Sequence, residues 1–280
     1  MTGYRGRIAP SPTGYLHIGH AMTFWRAQER AQQGGGKLIL RIEDLDHDRC
    51  RPRFRDAIVE DLRWFGLQWD EGPDMGGSFA PYVQSERRKI YLAVWKKLRD
   101  AALIYPCTCS RHDVLQSASA PHHENEEPVY PGTCRPKSGT ISDIDLPGGH
   151  NWRFRVADGE ALRFVDNRLG MRHALAGADF GDFVIWRKDD VPAYQLAVVA
   201  DDHAMESTEV VRGADLLLST FRQLVIYRAL GLRAPEFYHV DLTTDLSGRR
   251  LAKRHDSLSL RALRDSGVDP KELRARYLSS

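Results

Sequence analysis

The 280-residue chain lacks any apolar run approaching the roughly 18 residues a spanning helix needs, and its N-terminus carries no apolar signal core. Those absences point to a soluble, cytoplasmic protein with no membrane partner. An excess of charge of either sign is also missing: the formal net charge is +2 with 28% charged residues. A globally basic nucleic-acid coat is therefore excluded, and any nucleic-acid contact must come from a local patch. One such patch comprises Arg249, Arg250, Lys253 and Arg254, followed by Arg261, Arg264, Lys271, Arg274 and Arg276. Cysteine is scarce, with four residues, three of which (Cys107, Cys109, Cys134) fall in one short stretch while Cys50 stands apart. That distribution suits a metal site in a reducing compartment better than a disulfide framework. There is no internal repeat, and 42% hydrophobic residues are ample for a packed core.

The remaining pattern is that of an α/β protein. Gly3 to Ile8 reads as a short strand, Pro10, Pro12, Gly14 and Gly19 mark a tight loop, and about His20 to Gln33 reads as a helix. After Gly34-Gly35-Gly36 the β-rich run Lys37 to Ile42 leads through a polar loop to an amphipathic helix with Phe54, Ile58, Leu62 and Phe65 on one stripe. A further helix over about 86–102 completes half of a doubly wound parallel sheet. Composition then shifts, and the cysteine cluster with His112, His122 and His123 marks an inserted, metal-held subdomain over 105–190. Alternation around Trp152, Phe154 and Val156 predicts a half-exposed strand, and Phe183 to Trp186 a second one. The apolar run Tyr194 to Ala200 predicts a central parallel strand buried on both faces, followed by a helix from about Thr220 to Leu230. The expected organisation is thus 1–104 and 191–245 as the two halves of a catalytic domain, 105–190 as the insertion and 246–280 as a basic loop and helical segment.

The segment R-I-A-P-S-P-T-G-Y-L-H-I-G-H, Arg7 to His20, sets two histidines three residues apart where a Gly/Pro loop feeds a helix N-terminus. Main-chain N–H groups and the positive helix end attract phosphate there, and imidazole donors can follow charge as it develops on a phosphorus under attack. The acidic run Asp44, Asp46, Asp48 does not make a calcium loop, because the sixth position is Arg49 and the twelfth is Arg55. These residues are expected in loop or helix-capping roles.

Taken together with R-I-E-D at 41–44, V-V-A-D-D-H at 198–203, V-R-G-A-D-L at 211–216 and R-L-A-K-R at 250–254, the first signature resembles the class I aminoacyl-tRNA synthetases, and within them the glutamyl branch. The resemblance covers nearly the whole chain. It implies a Rossmann-type doubly wound parallel sheet with an inserted zinc-containing subdomain. It implies catalysis by His17, His20 and Lys253, and ATP held by His17, Gly19, His20 and Lys253 with Mg(II). L-glutamate would be held by Arg7, Ala9, Ser11, Glu43, Tyr194 and Arg212, with cations for its carboxylates and Glu43 for its ammonium. The second signature departs from the usual K-M-S-K-S: Arg250, Ala252 and Arg254 replace the first lysine and both serines, so the transition-state role falls mainly on Lys253.

Three thiolates leave a zinc site one ligand short. His112, His122 and His123 are chemically eligible, but Y-P-G-T-C at 130–134 resembles the glutamyl-queuosine tRNA(Asp) synthetases, which implies Tyr130 beside Cys107, Cys109 and Cys134 in one structural Zn(II) site per chain. The same resemblance implies a stand-alone catalytic domain, monomeric and without an anticodon-reading domain, that forms glutamyl-adenylate and transfers glutamate to queuosine at the wobble position of tRNA(Asp). Two other readings stay open at this stage: a truncated synthetase charging tRNA(Glu), and an inactive zinc-containing RNA-binding paralogue.

Overall fold

A computed structural model describes residues 3–110, 112–114, 128–137, 143–241 and 259–278. The chain divides into two compact units, the first formed by residues 1–87, 205–216 and 235–280 and the second by 88–204 and 217–234.

The first unit is built on parallel strands. Strand β1 (Arg5–Ile8) pairs in parallel with β2 (Lys37–Leu40), joined by helix α1 (Ile18–Gln33). On the other side of β1 lies β8 (Glu209–Gly213), where Thr208 N donates to Arg5 O at 2.8 Å, and β8 pairs in parallel with β9 (Glu236–Val240). The turn into β2 requires glycine at Gly36, where a Cβ would sit 2.0 Å from the Tyr4 carbonyl oxygen. Helix α2 (Pro52–Phe65) opens on proline, whose fixed φ suits a first turn, and closes at Gly66 with φ +97, a left-handed stop where Gly66 N and Leu67 N reach the carbonyls of Arg63 and Leu62. Its stripe of Ile58, Leu62 and Phe65 joins Ile8, Ile18, Leu38, Leu40 and Val211 in one core. Helices α6 (Leu260–Asp265) and α7 (Pro270–Leu278) add Leu260 and Leu273 to it.

In the second unit, α3 (Arg88–Asp100) buries Tyr91, Trp95 and Leu98. An antiparallel sheet runs β3 (Ile104–Cys107), β4 (Asn151–Phe154), β7 (Phe183–Trp186), and Trp95 meets Trp152 edge to face at 4.8 Å. Strands β5 (Ala161–Asp166) and β6 (Gly170–Leu175) form a hairpin.

Two expectations are corrected. Tyr194–Ala204 is a helix, α4, not a strand, and Gln195 through Asp202 are all buried along it. A helix buried on every side shows no 3.6-residue stripe, so its apolar run imitates a buried strand. Its acidic end is absorbed by packing: Tyr91 Oη donates to Asp201 at 2.9 Å, while Gln195 bonds Ser219 and Gln223 on α5 (Leu217–Ala229). Strand β4, in turn, is not half-exposed. Trp152 and Phe154 are buried, and so is the intervening Arg153.

Candidate active site and candidate metal centre

In an open parallel sheet ligands bind beyond the carboxyl ends of the strands, where the strand order reverses. Here β1 connects through α1 to β2 on one side while β8 lies on the other, so the reversal falls between β1 and β8. The first signature leaves β1 at that edge. Its loop is pinned to the R-I-E-D segment, with Arg41 N on Ile8 O at 2.9 Å and Glu43 N on Pro10 O at 3.0 Å. Arg51 N reaches Pro12 O at 3.0 Å, and Thr13 N reaches Ser11 O at 2.9 Å. Ala9 is half-buried and Ser11 exposed.

His17 occupies the N-cap position of α1 with extended backbone, and its carbonyl accepts from His20 N and Ala21 N. His17 is buried, Gly19 half-buried and His20 exposed, so the two imidazoles share the helix end but not the same depth. Arg7 is buried on β1, where Nη1 donates to Val211 O at 3.2 Å. Arg212, on the next residue of β8, is buried as well, and its Nε donates to Nε2 of the fully buried His239 at 3.2 Å. An imidazole nitrogen can accept from an arginine, and this bond fixes the plane of the Arg212 guanidinium. Glu43 accepts from Arg41 Nη2 at 2.9 Å and Nε at 3.3 Å, and Arg41 is fully buried. Arg41 and His239 were both missed from sequence. For Arg41 a signal existed, since residues two apart on an extended segment share a face. Two buried cations and a held carboxylate thus line one sheet edge beside a helix N-terminus, the inventory needed for a substrate with two carboxylates and one ammonium.

Tyr194 is the first residue of α4 in the second unit, 37% exposed. Lys253 lies outside the described residues. Ser259 forms a β-bridge with His17, caps α6 through its Oγ and is followed by Leu260 N on Leu16 O at 2.7 Å. The acidic loop is not a helix cap: Asp44 accepts from Ser85 N and Oγ, Asp46 pairs with Arg49, and Arg51 stands at the cap of α2. Part of the basic C-terminal patch is structural, because Arg261 pairs with Glu60 and Asp61 and Arg274 stacks on Trp25. Lys271 and Arg276 are exposed.

In the second unit the sulfurs of Cys107, Cys109 and Cys134 lie within 4.8 Å of one another. Tyr130 Oη is 3.5 Å from the sulfurs of both Cys107 and Cys109, and Cys109 Sγ is 3.5 Å from Cys134 Sγ. A tetrahedral zinc with ligand distances of about 2.3 Å to sulfur and about 2.0 Å to oxygen has edges of about 3.5 Å (S···O) and about 3.8 Å (S···S). The four groups fit that ion. Tyr130 is buried, which with its bonds to Cys107 and Cys109 pushes the phenol up. At Cys134 burial acts upward too, but the main-chain hydrogen bond at Thr108, Tyr130 and Cys109 outweigh it and hold the thiol at about 6. His112 is exposed, and His122 and His123 lie outside the described residues. Val114 and Tyr105 pack against the cluster.

The family model "tRNA synthetases class I (E and Q), catalytic domain" matches residues 4–278. A Glutamyl-Q tRNA(Asp) synthetase of Nitratidesulfovibrio vulgaris is 48% identical over 94% of this chain and 82% of the relative. A Glutamate--tRNA ligase 2 of Syntrophus aciditrophicus is 42% identical over 96% of this chain and 55% of the relative. Among solved structures, a glutamate tRNA ligase from Elizabethkingia meningosepticum superposes with a TM-score of 0.77 at 30% identity, covering 91% of this chain and 52% of that one. The chain thus spans about half the length of that solved ligase and most of the N. vulgaris relative. With a family model matched almost end to end and its signature loop set at the sheet's reversal point, the chain belongs to the class I tRNA synthetases of the E and Q family.

Proposed function

We propose that the chain is a ligase that activates L-glutamate with Mg-ATP and passes the glutamyl group to queuosine in tRNA(Asp). The observation that carries the acceptor is the order of similarity: three Glutamyl-Q tRNA(Asp) synthetases are 43–48% identical, whereas five Glutamate--tRNA ligases are 38–42% identical. Arg7 and Arg212 bind the substrate's carboxylates, Glu43 takes the α-ammonium, and Ala9 and Ser11 complete the part of the glutamate site that the first unit supplies. An oxygen of the α-carboxylate then attacks the α-phosphorus of ATP in line, and pyrophosphate leaves with the electron pair of the broken P–O bond. His17, His20 and the N-terminus of α1 stabilise the charge growing on that phosphate, and Lys253 meets the pyrophosphate. In the second step a queuosine hydroxyl attacks the glutamyl carbonyl, losing its proton as AMP departs. Positioning and charge stabilisation supply the catalysis, and no covalent enzyme intermediate is needed.

Cys107, Cys109, Cys134 and Tyr130 hold one structural Zn(II). A closed ligand set leaves no open position for substrate, and the metal's contribution is to fix a small fold with little core of its own. The enzyme works in the cytoplasm as a monomer. Among the described residues no helix is long and apolar enough to cross a membrane.

The activation step is tested by glutamate-dependent exchange of labelled pyrophosphate into ATP, with tRNA present. His20→Ala and Lys253→Ala should each lower exchange by roughly 100-fold or more, the scale of losing one group aimed at transition-state charge. Near-normal exchange in both would refute the assigned roles.

A further inference from the structure

Arg153 stands on β4, the central strand of its sheet, opposite Tyr105 on β3, and the pairing with β7 slips by one residue between Trp152 and Arg153. Slips of this kind re-aim a side chain. Arg153 is only 8% exposed, and among the described residues it has no carboxylate within ion-pair distance. Its Nη1 donates to the main-chain oxygen of Asp182 at 2.9 Å, its Nε donates to Cys107 Sγ at 3.2 Å, and its Cζ lies 3.7 Å from the centroid of the Tyr130 ring. A buried guanidinium needs a counter-charge, and an uncharged carbonyl does not supply one. The other two groups it touches, a sulfur and an aromatic ring, both belong to residues of the zinc site. Three thiolates around a dication leave that site anionic even before the oxygen ligand is counted.

We propose that Arg153 is the charge-balancing and positioning residue of the metal centre, a role that rests on the zinc reading above. Its N–H···S bond neutralises part of the charge on Cys107 and fixes that side chain's rotamer. Its planar face, lying over Tyr130, holds the ring so that Oη falls between Cys107 and Cys109. Outer-shell donors of this kind change metal affinity by about 10–100-fold when removed. Lysine cannot reproduce the arrangement, because an ammonium offers neither the flat face nor the side-on Nε–H. The neighbouring Arg135, directly after Cys134, does not share this role, because it is bound to Asp182 and Asp158.

The test uses the full chain and two readouts: zinc affinity by competition with a chromophoric chelator, and the sulfur-to-metal charge-transfer band after cobalt substitution. Wild type should hold one zinc and Cys109→Ser none. Arg153→Met should bind zinc about 10–100-fold more weakly, and Arg153→Lys should fall between the two, with the cobalt band displaced in both because the donor to Cys107 is gone. Arg153→Lys retains the cation and the aliphatic stem, so it decides the matter if Arg153→Met does not fold. Unchanged affinity together with an unmoved band overturns the role of Arg153 while leaving the zinc site standing. Folded wild type that takes up no zinc overturns the zinc reading, and the inference with it.

Discussion

Arg41→Met removes a guanidinium that is fully buried and bonded twice to Glu43, at 2.9 and 3.3 Å, with Nη1 also 3.9 Å from Met205 Sδ. Methionine fills much of the same volume, so the cavity term is small and electrostatics decides the outcome. The Glu43 side chain, 10% exposed, keeps its charge and loses this buried counter-ion. Breaking a buried pair from one side costs about 3–5 kcal/mol. Each kcal/mol moves the thermal midpoint of a domain this size by roughly 2–4 °C, which gives a fall of roughly 6–20 °C. Glu43→Gln alone should take this charge partner from the guanidinium, and the double variant should recover part of the loss, with a coupling energy of about 0.5–3 kcal/mol in a double-mutant cycle. Under the proposed glutamate site, Arg41→Met should also raise KM for glutamate at 25 °C, because the Glu43 carboxylate loses the bonds that orient it. Thermal unfolding followed by circular dichroism, beside exchange kinetics at varied glutamate, reads both effects. A midpoint within about 2 °C of wild type and an unchanged KM would mean that Arg41 neither stabilises the fold nor positions Glu43.

The other predictions concern the helix anchoring and the metal. Burial pushes the Asp61 carboxyl up in spite of Arg261 and Arg264 beside it. A folded value above the unfolded one means that Asp61 contributes its stability below the ordinary carboxylate range and loses it as pH rises through the raised value. Wild type should therefore lose stability relative to Asp61→Asn between about pH 3 and pH 7 in urea titrations; a difference that grows in favour of wild type would contradict this. Glu160 behaves in the opposite sense: Arg228 holds its carboxyl down, so the contribution is present above the ordinary range and lost on acidification, and Glu160→Gln should remove that part of the pH dependence. Cys109→Ser should abolish stoichiometric zinc by elemental analysis and expose the chain near Cys107 to proteolysis; full zinc content would contradict the ligand set.

Sequence alone revealed the first βα units because each carries a local signal: a short apolar strand, a Gly/Pro loop and a stripe of Ile58, Leu62 and Phe65 at helical spacing. The proposed glutamate site is readable in sequence only as a set of residue types, and Arg7, Glu43, Arg212 and His17 belong to one unit. What failed was everything decided by distant packing. Helix α4 looks like a strand because α3, α5 and β7 pack against it, and those lie about 10 to 100 residues away, beyond the reach of a local pattern. Arg153 is buried although it alternates with Trp152 and Phe154, because alternation presumes one wet face and this strand has none there. Its partner Cys107 lies 46 positions earlier, and no periodicity announces that a cation will be buried against sulfur. His239 escaped for the same reason, with Arg212 standing 27 residues before it. Part of the basic C-terminal run belongs to the fold, because Arg261 and Arg274 find carboxylates and rings on α1 and α2 that charge counting does not see.

Transfer of labelled glutamate, with ATP and Mg(II), to purified tRNA(Asp) with and without queuosine, beside tRNA(Glu), decides between the acceptors. Label is expected only on queuosine-containing tRNA(Asp). Label on tRNA(Glu) instead, or on no tRNA at all, would contradict the proposed function.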